Sequence, residues 1–257
     1  MKRYILNGIL IFVLISIAAV VWLFTQKDSI LFKPIQKYEL QSEISYLKPV
    51  EIDNIMSHYL GLSFWDVDLE RIQSELTRLD WANSAKVKRN WPDQLYVTIE
   101  EQTPVARWED SGLVNQDGIV FYPKEAAVFN YLVVLRGNLA NSGDILVALS
   151  RFQSQLNSIK FTVSELKQQV DGVWRISLLN GSVIILEAQE SERKLKTFVL
   201  AYPKLSKPLR KSPQIYDLRY SNGFIVGKSD PLISPLKEQK SQADGVDLRK
   251  GIAQHGA

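Results

Sequence analysis

Two histidines, His58 and His255, are the only side chains here whose ordinary pKa lies near neutrality. They stand far apart, and neither has a carboxylate or a second histidine at metal-ligand spacing. The chain has no Cys, which excludes thiolate nucleophiles, disulfides and Cys-ligated zinc or iron–sulfur centres. Its serines lack the strand–turn setting of a nucleophile elbow, and two isolated histidines leave no base to activate one. Asp66 with Asp68, and Glu100 with Glu101, are the closest approach to the paired carboxylates of a glycosidase. On short elements these read more simply as a helix cap and a solvated strand edge. The glycines are isolated turn formers rather than a phosphate-cradling loop. The expectation is therefore a protein with no catalytic residue, no metal and no cofactor, one that acts through its surfaces.

The elements that carry those surfaces begin with residues 4–24, YILNGILIFVLISIAAVVWLF, twenty-one positions without a charge. As a helix at 1.5 Å per residue this run is about 30 Å long, the thickness of a bilayer's hydrocarbon core. It is longer than the apolar centre of a signal peptide, and Trp22-Leu23-Phe24 followed by Gln26-Lys27-Asp28 offers no small-residue cleavage site. An uncleaved or late-cleaved secretion signal is the competing reading. Lys2 and Arg3 precede the run, while Lys27 and Asp28 cancel beyond it, so the N-terminus is expected in the cytoplasm. The organisation expected is a cytoplasmic stub at 1–3, a transmembrane helix at 4–24, a tether at 25–34, and folded domains outside. The remaining charge, 31 basic against 28 acidic residues, is too balanced to form a nucleic-acid footprint.

Residues 35–103 read as a small α+β unit. Ile35 to Leu40 gives a weak alternating strand. Pro49 then opens a helix with Ile52, Ile55, Met56 and Tyr59 on one stripe, and Gly61 ends it. Asp66 or Asp68 caps a second helix carrying Leu69, Ile72, Leu76 and Leu79. Trp81 is expected to plug the core. Ala85 and Val87 face inward on the next strand, Trp91-Pro92-Asp93 turns the chain, and Leu95, Val97 and Ile99 return it. The order is β-α-α-β-β, with free outer strand edges.

From 104 to 233 the texture becomes β-rich. Short strands are expected at Val105–Trp108, Gly112–Asn115, Ile119–Tyr122, Leu132–Leu135, Val173–Leu178, Val183–Leu186, Gln214–Tyr220 and Phe224–Val226. Asp117-Gly118, Asn180-Gly181 and Asn222-Gly223 mark tight turns between them. Residues 144–157 and 191–202 are helical by spacing, and 163–170 is ambiguous. The prediction is a meandering mixed sheet with flanking helices, followed by a polar tail at 234–257 that buries too little to order itself. If the last strands form a free edge, Tyr216, Leu218 and Tyr220 share one face of it, with Asp217 and Arg219 on the other. Such an edge invites a partner strand. The plainer reading, that Tyr216 and Leu218 face the core, stays open beside it.

The segments VKRNWPDQLYVTIEEQTPVARW, Val87 to Trp108, and YDLRYSNGFIVG, Tyr216 to Gly227, together with the helix entry from Phe64 to Leu79, resemble the FtsQ/DivIB family of bacterial division proteins in its Gram-negative form. The resemblance covers most of residues 1–233 and is weakest between about 124 and 170. It implies a POTRA domain over 35–103 and a β domain over 104–233. It also implies a non-enzymatic inner-membrane scaffold at the septum, with its domains in the periplasm and residues 4–24 in the lipid bilayer. The partners implied are FtsB and FtsL, captured by strand addition at the last β-domain strand, along with other membrane proteins of the division machinery. No nucleic acid and no small-molecule substrate are implied. Tyr216, Leu218, Arg219, Tyr220, Gly223 and Phe224 inherit the partner-binding motif: Arg219 as ion-pair partner, Tyr220 as apolar wall, Gly223 as the residue that keeps the approach clear. Arg78, Lys86 and Lys88 are the POTRA surface candidates for other division proteins. Two departures stand out. Lys228 occupies a position that is Trp in many enteric relatives, and Asp171-Gly172 replaces a basic pair before Trp174. A POTRA-containing outer-membrane assembly or secretion component is the alternative from a different class. It calls for tandem POTRA units or a barrel, and the sequence has neither pattern. A cell-wall hydrolase or synthase is a third class, and it lacks a nucleophile or metal set.

Overall fold

The structure, a computed structural model, describes residues 2–25, 33–211 and 213–228. Met1 of the expected stub, residues 26–32 of the tether, residues 229–233 and the tail at 234–257 lie outside the described residues. The chain divides into two compact units between Thr103 and Pro104.

Helix α1 spans Lys2–Thr25, and the apolar side chains described in it, from Ile11 to Trp22, are exposed. Among the described residues no helix is long and apolar enough to cross a membrane.

The rest of the first unit has the β-α-α-β-β order the alternation predicts: β1 (Lys37–Leu40), α2 (Pro49–Ser57), α3 (Leu69–Thr77), β2 (Ala82–Asn90) and β3 (Gln94–Glu101). Pro49 sits in the first turn of α2, where its missing N–H costs nothing. Asp68, of the two candidates, caps α3 by accepting from the Arg71 N–H at 3.1 Å. The sheet order is β1-β3-β2, with β3 parallel to β1 and antiparallel to β2. Leu95, Val97 and Ile99 on β3 therefore sit at the centre of the core, beside Ile52, Met56, Ile72 and Leu76 from the two helices. Trp81 is buried as expected and stacks on Tyr46 with ring centroids 4.2 Å apart.

Among its described residues the second unit forms one nine-stranded mixed sheet. Its strands are β4 (Pro104–Trp108), β5 (Gly112–Asn115), β6 (Val120–Phe121), β7 (Val134–Arg136), β8 (Val163–Gln168), β9 (Val173–Leu178), β10 (Val183–Glu187), β11 (Gln214–Asp217) and β12 (Ile225–Lys228). The order is β12-β11-β10-β9-β8-β7-β4-β5-β6, so β12 and β6 form the two rims. The pairs β4–β7, β7–β8 and β10–β11 are parallel, each requiring a crossover. Helices α4 (Ser142–Leu156) and α5 (Ser191–Ala201) bury Ile145, Phe152, Leu156, Leu195 and Phe198 in one core with strand residues such as Leu135, Leu166, Ile176 and Ile184. A short helix, α6 (Lys207–Arg210), precedes β11. The ambiguous stretch from 163 is strand β8. The turn at Gly118 takes φ +78°, and the Asn115 side chain accepts the N–H groups of Asp117 and Ile119, each at 2.9 Å.

Two expectations need correction. The strand placed at 214–220 stops at Asp217, because the Asp217 carboxylate accepts the Arg219 N–H at 3.1 Å and turns the chain. That strand is also no free edge: β11 is paired on both sides, to β10 and to β12.

A sheet rim as the candidate functional site

The rim of the β domain is built by the last hairpin, and backbone alternation decides which of its polar groups face outward. On β11 the N–H of Gln214 meets the Ser182 hydroxyl at 3.1 Å, and just past it the N–H of Leu218 donates to the Ile185 carbonyl at 2.8 Å. Even-numbered positions there thus direct their N–H groups toward β10, and Ile215 and Asp217 direct theirs toward β12. Their antiparallel partners are Gly227 and Ile225. These two residues of β12 consequently bond inward, and the N–H and C=O of Val226 point away from the sheet, with no strand beyond them among the described residues. Around Gly223 and Gly227 an added Cβ would meet nothing within 4 Å, so the approach to the rim is open.

The six motif residues divide by depth. Tyr216 (0% exposed) and Leu218 belong to the core, which corrects their assignment as contact side chains. The Tyr216 ring packs against Phe198 at 4.9 Å and Tyr202 at 5.9 Å, and its hydroxyl donates to the Leu209 carbonyl at 3.2 Å. Burial pushes that hydroxyl's pKa up. Phe224 is half-buried, edge-on to Phe198 at 5.2 Å, and forms the margin of the same core. Arg219, Tyr220 and Gly223 are exposed, Tyr220 by 53%. Arg219 is not a waiting cation: it forms a two-point pair with Asp217, at 3.0 and 2.7 Å, which holds the Asp217 carboxyl below its ordinary value. The carbonyl of Arg219 in turn accepts from Lys194 on α5 at 2.9 Å. Sequence reasoning missed Ile225, which is 51% exposed on the rim strand itself. The alternation after Asn222-Gly223 was the available signal.

In the first unit Arg78 is exposed at the end of α3, and Lys86 and Lys88 are exposed along β2, an edge strand nine residues long. Lysines on such an edge also discourage unwanted pairing. Lys86 lies 3.9 Å from Glu100, which additionally accepts from the Ser84 hydroxyl at 2.8 Å. Glu101 accepts the N–H groups of Ser45, Tyr46 and Leu47 at 2.9, 2.9 and 2.7 Å. The carboxylates weighed as a catalytic pair are thus occupied in holding the fold, Asp68 by its cap and Glu101 by its three amides. Among the described residues no group of three or more His, Asp or Glu is placed to hold a metal ion.

A cluster that the sequence did not reveal joins the ends of β4 and β7 to the middle of β8. The Arg136 guanidinium reaches Glu109 at 2.8 Å, Asp110 at 2.7 Å and Glu165 at 3.0 Å. Partial burial works against the Arg136 charge, but the three carboxylates outweigh it and raise its pKa, and Asp110 is lowered in return. Its members are separated by up to 56 positions, from Glu109 to Glu165 (165 − 109), so nothing local announces it.

Comparison with known proteins agrees with this architecture. Residues 34–102 match the family described as "POTRA domain, FtsQ-type", and residues 106–219 match "Cell division protein FtsQ/DivIB, C-terminal". The cell division protein FtsQ of Allochromatium vinosum is 29% identical over 221 residues, 86% of this chain and 87% of its own. That of Cellvibrio japonicus is 29% identical over 234 residues, 91% of this chain and 73% of its own. That of Haemophilus influenzae is 29% identical over 200 residues, 77% of this chain and 79% of its own. With both folded units matched in order and relatives aligned across their junction, the chain belongs to the FtsQ/DivIB family of cell division proteins.

Proposed function

We propose that this division protein is a single-pass scaffold of the inner membrane, at the division septum, that holds its POTRA and β domains in the periplasm. The β domain there captures the FtsB–FtsL pair by adding a partner strand to β12. The membrane reading draws on the uncharged run at 4–24 and on the exposed apolar side chains of α1, which need a non-aqueous surrounding. The capture reading rests on one observation above all: the outward N–H and C=O of Val226 on a rim strand flanked by open glycines. Tyr220 and Ile225 supply apolar contact beside that backbone, and Arg219 offers an acidic partner residue a charge it would share with Asp217. Arg78, Lys86 and Lys88 remain the POTRA surface proposed for other membrane proteins of the division machinery. The FtsQ-type POTRA match gives the outer-membrane assembly alternative no support.

The test is Val226→Pro. Proline deletes the N–H that points outward while leaving the β11–β12 hydrogen bonds in place, the one setting in which an edge strand accepts it. The full chain in lipid nanodiscs is expected to lose at least tenfold in affinity for a periplasmic FtsB–FtsL segment, with its thermal unfolding still cooperative. Tyr220→Ala should weaken capture less. Unchanged affinity in Val226→Pro, with the domain folded, would reject strand addition at this rim.

A further inference from the structure

The end of the POTRA unit at which the chain enters carries two exposed tryptophans. Residues 34–36 run between two loops. The Ile35 N–H donates to the Leu62 carbonyl at 2.9 Å, Pro34 bridges to Ser63, and the Gln36 N–H donates to the Asp93 carbonyl at 2.8 Å. One loop presents Leu62 and Trp65, and the β2–β3 turn presents Trp91. Trp65 is 53% and Trp91 57% exposed, in contrast to the buried Trp81 of the same unit. Trp65 is held on a fixed support. It packs edge-on to the buried Phe64 at 5.3 Å, and the Arg89 guanidinium donates to the carbonyls of Phe64, Trp65 and Val67 at 2.8, 3.1 and 2.8 Å. The chain leaves the unit from the other end of β3, about 24 Å away at roughly 3.4 Å per residue.

Seven residues, 26–32, separate Thr25 of α1 from Lys33. Fully extended, the eight steps from Thr25 to Lys33 span at most about 28 Å. This end of the unit is therefore the one the covalent link keeps near whatever surrounds α1. Tryptophan is the side chain most suited to the boundary between acyl chains and headgroups, because its ring is apolar and its N–H still finds a polar partner. Charges around the patch are mixed: Lys33, Lys37 and Arg89 lie at this end with Asp66 and Asp93. Net electrostatic attraction to an anionic surface is accordingly not what the patch offers.

We infer that Leu62, Trp65 and Trp91 form a second membrane contact, seating the POTRA unit on the headgroup layer of the bilayer that holds α1. The inference rests on the reading of residues 4–24 as a membrane span. The contact is aromatic rather than electrostatic, so it holds in zwitterionic lipid and in high salt. It limits the orientations open to the unit, turning its far end, and the chain's exit at Thr103, away from the lipid surface.

The chain's lack of Cys makes the test direct. Single cysteines at Ser63→Cys, beside the patch, and Asn83→Cys, at the far end of β2, carry a bimane label in the full chain reconstituted into phosphatidylcholine vesicles. Headgroup-nitroxide lipid is expected to quench the Ser63→Cys label at least threefold more than the Asn83→Cys label, at low and high salt alike. Adding Trp65→Ser and Trp91→Ser should bring the two labels to the same level. Equal quenching in the unaltered patch overturns the inference, and so does strong quenching at Ser63→Cys that survives loss of both tryptophans, since the tether alone would then explain it. Extraction with alkaline carbonate separates the two levels of reading. Release of the chain from the vesicles defeats the membrane span itself, whereas a retained chain with equal quenching defeats only the seating of the POTRA unit.

Discussion

Tyr216 allows the core and the rim to be separated by a single atom. Tyr216→Phe keeps the ring in its place against Phe198 and Tyr202 and removes only the hydroxyl that donates to Leu209. The lost hydrogen bond costs about 1 kcal/mol, and a Leu209 carbonyl left without its donor raises this toward 2 kcal/mol. Since 1.4 kcal/mol is tenfold in an equilibrium constant, amides protected by opening of the last hairpin should exchange roughly five to thirty times faster. Hydrogen exchange read by mass spectrometry on peptides covering 183–187 and 214–228 is the assay, with peptides from β2 and β3 as the internal reference. Capture of the FtsB–FtsL segment should be unchanged when measured at saturating folded protein. Tyr216→Ala, by contrast, should cost about 3 to 5 kcal/mol and abolish capture by dissolving the rim. Unchanged exchange with lowered affinity in Tyr216→Phe would refute this placement, because the hydroxyl would then meet the partner rather than Leu209.

Three further outcomes follow from the geometry. Arg136→Met should destabilise the β domain by about 2 to 3 kcal/mol, less than the cost of breaking a fully buried pair because Arg136 is 26% and Glu165 19% exposed, and denaturant unfolding would measure it. Gly118→Ala should cost about 2 to 4 kcal/mol, since φ is +78° and the new Cβ would lie 2.4 Å from the Gly143 backbone; a folded, equally stable variant would disprove the packing of that turn on α4. Asp217 titrates below its ordinary value in the folded protein, so its contribution is present above about pH 4, the unfolded value, and is lost as pH falls through the lowered folded value. The gap in melting temperature between the native chain and Asp217→Asn should therefore hold steady from pH 7 to about pH 4 and narrow as the pH falls further.

What the sequence revealed, and what it hid, follows the range of the interactions. The POTRA order was readable because Leu95, Val97 and Ile99 alternate by twos, Ile72 and Leu76 repeat by fours, and Pro49 and Asp68 mark helix starts; all of these are local signals. The second sheet was readable strand by strand but not in its assembly. Nothing near Tyr216 states that β10 will lie alongside it in parallel after the α5 crossover, so an internal strand looked the same as an edge. The end of β11 at Asp217 was hidden for a different reason. Alternation continues through Leu218 and Tyr220, and only the bond from the Asp217 side chain back to the Arg219 amide turns the chain out of the sheet. The Arg136 cluster joins residues from three strands that are distant in sequence, and pairing across a parallel sheet leaves no periodic trace.

The β11–β12 hairpin is the last described part of the chain, and it supplies both the margin of the core, through Tyr216, Leu218, Phe224 and Val226, and the rim itself. A chain emerging N-terminus first thus completes its interior and its rim strand in the same event. A copy cut short before β12 would lack the rim and part of the core margin together, so a complete rim strand and a complete interior stand or fall as one.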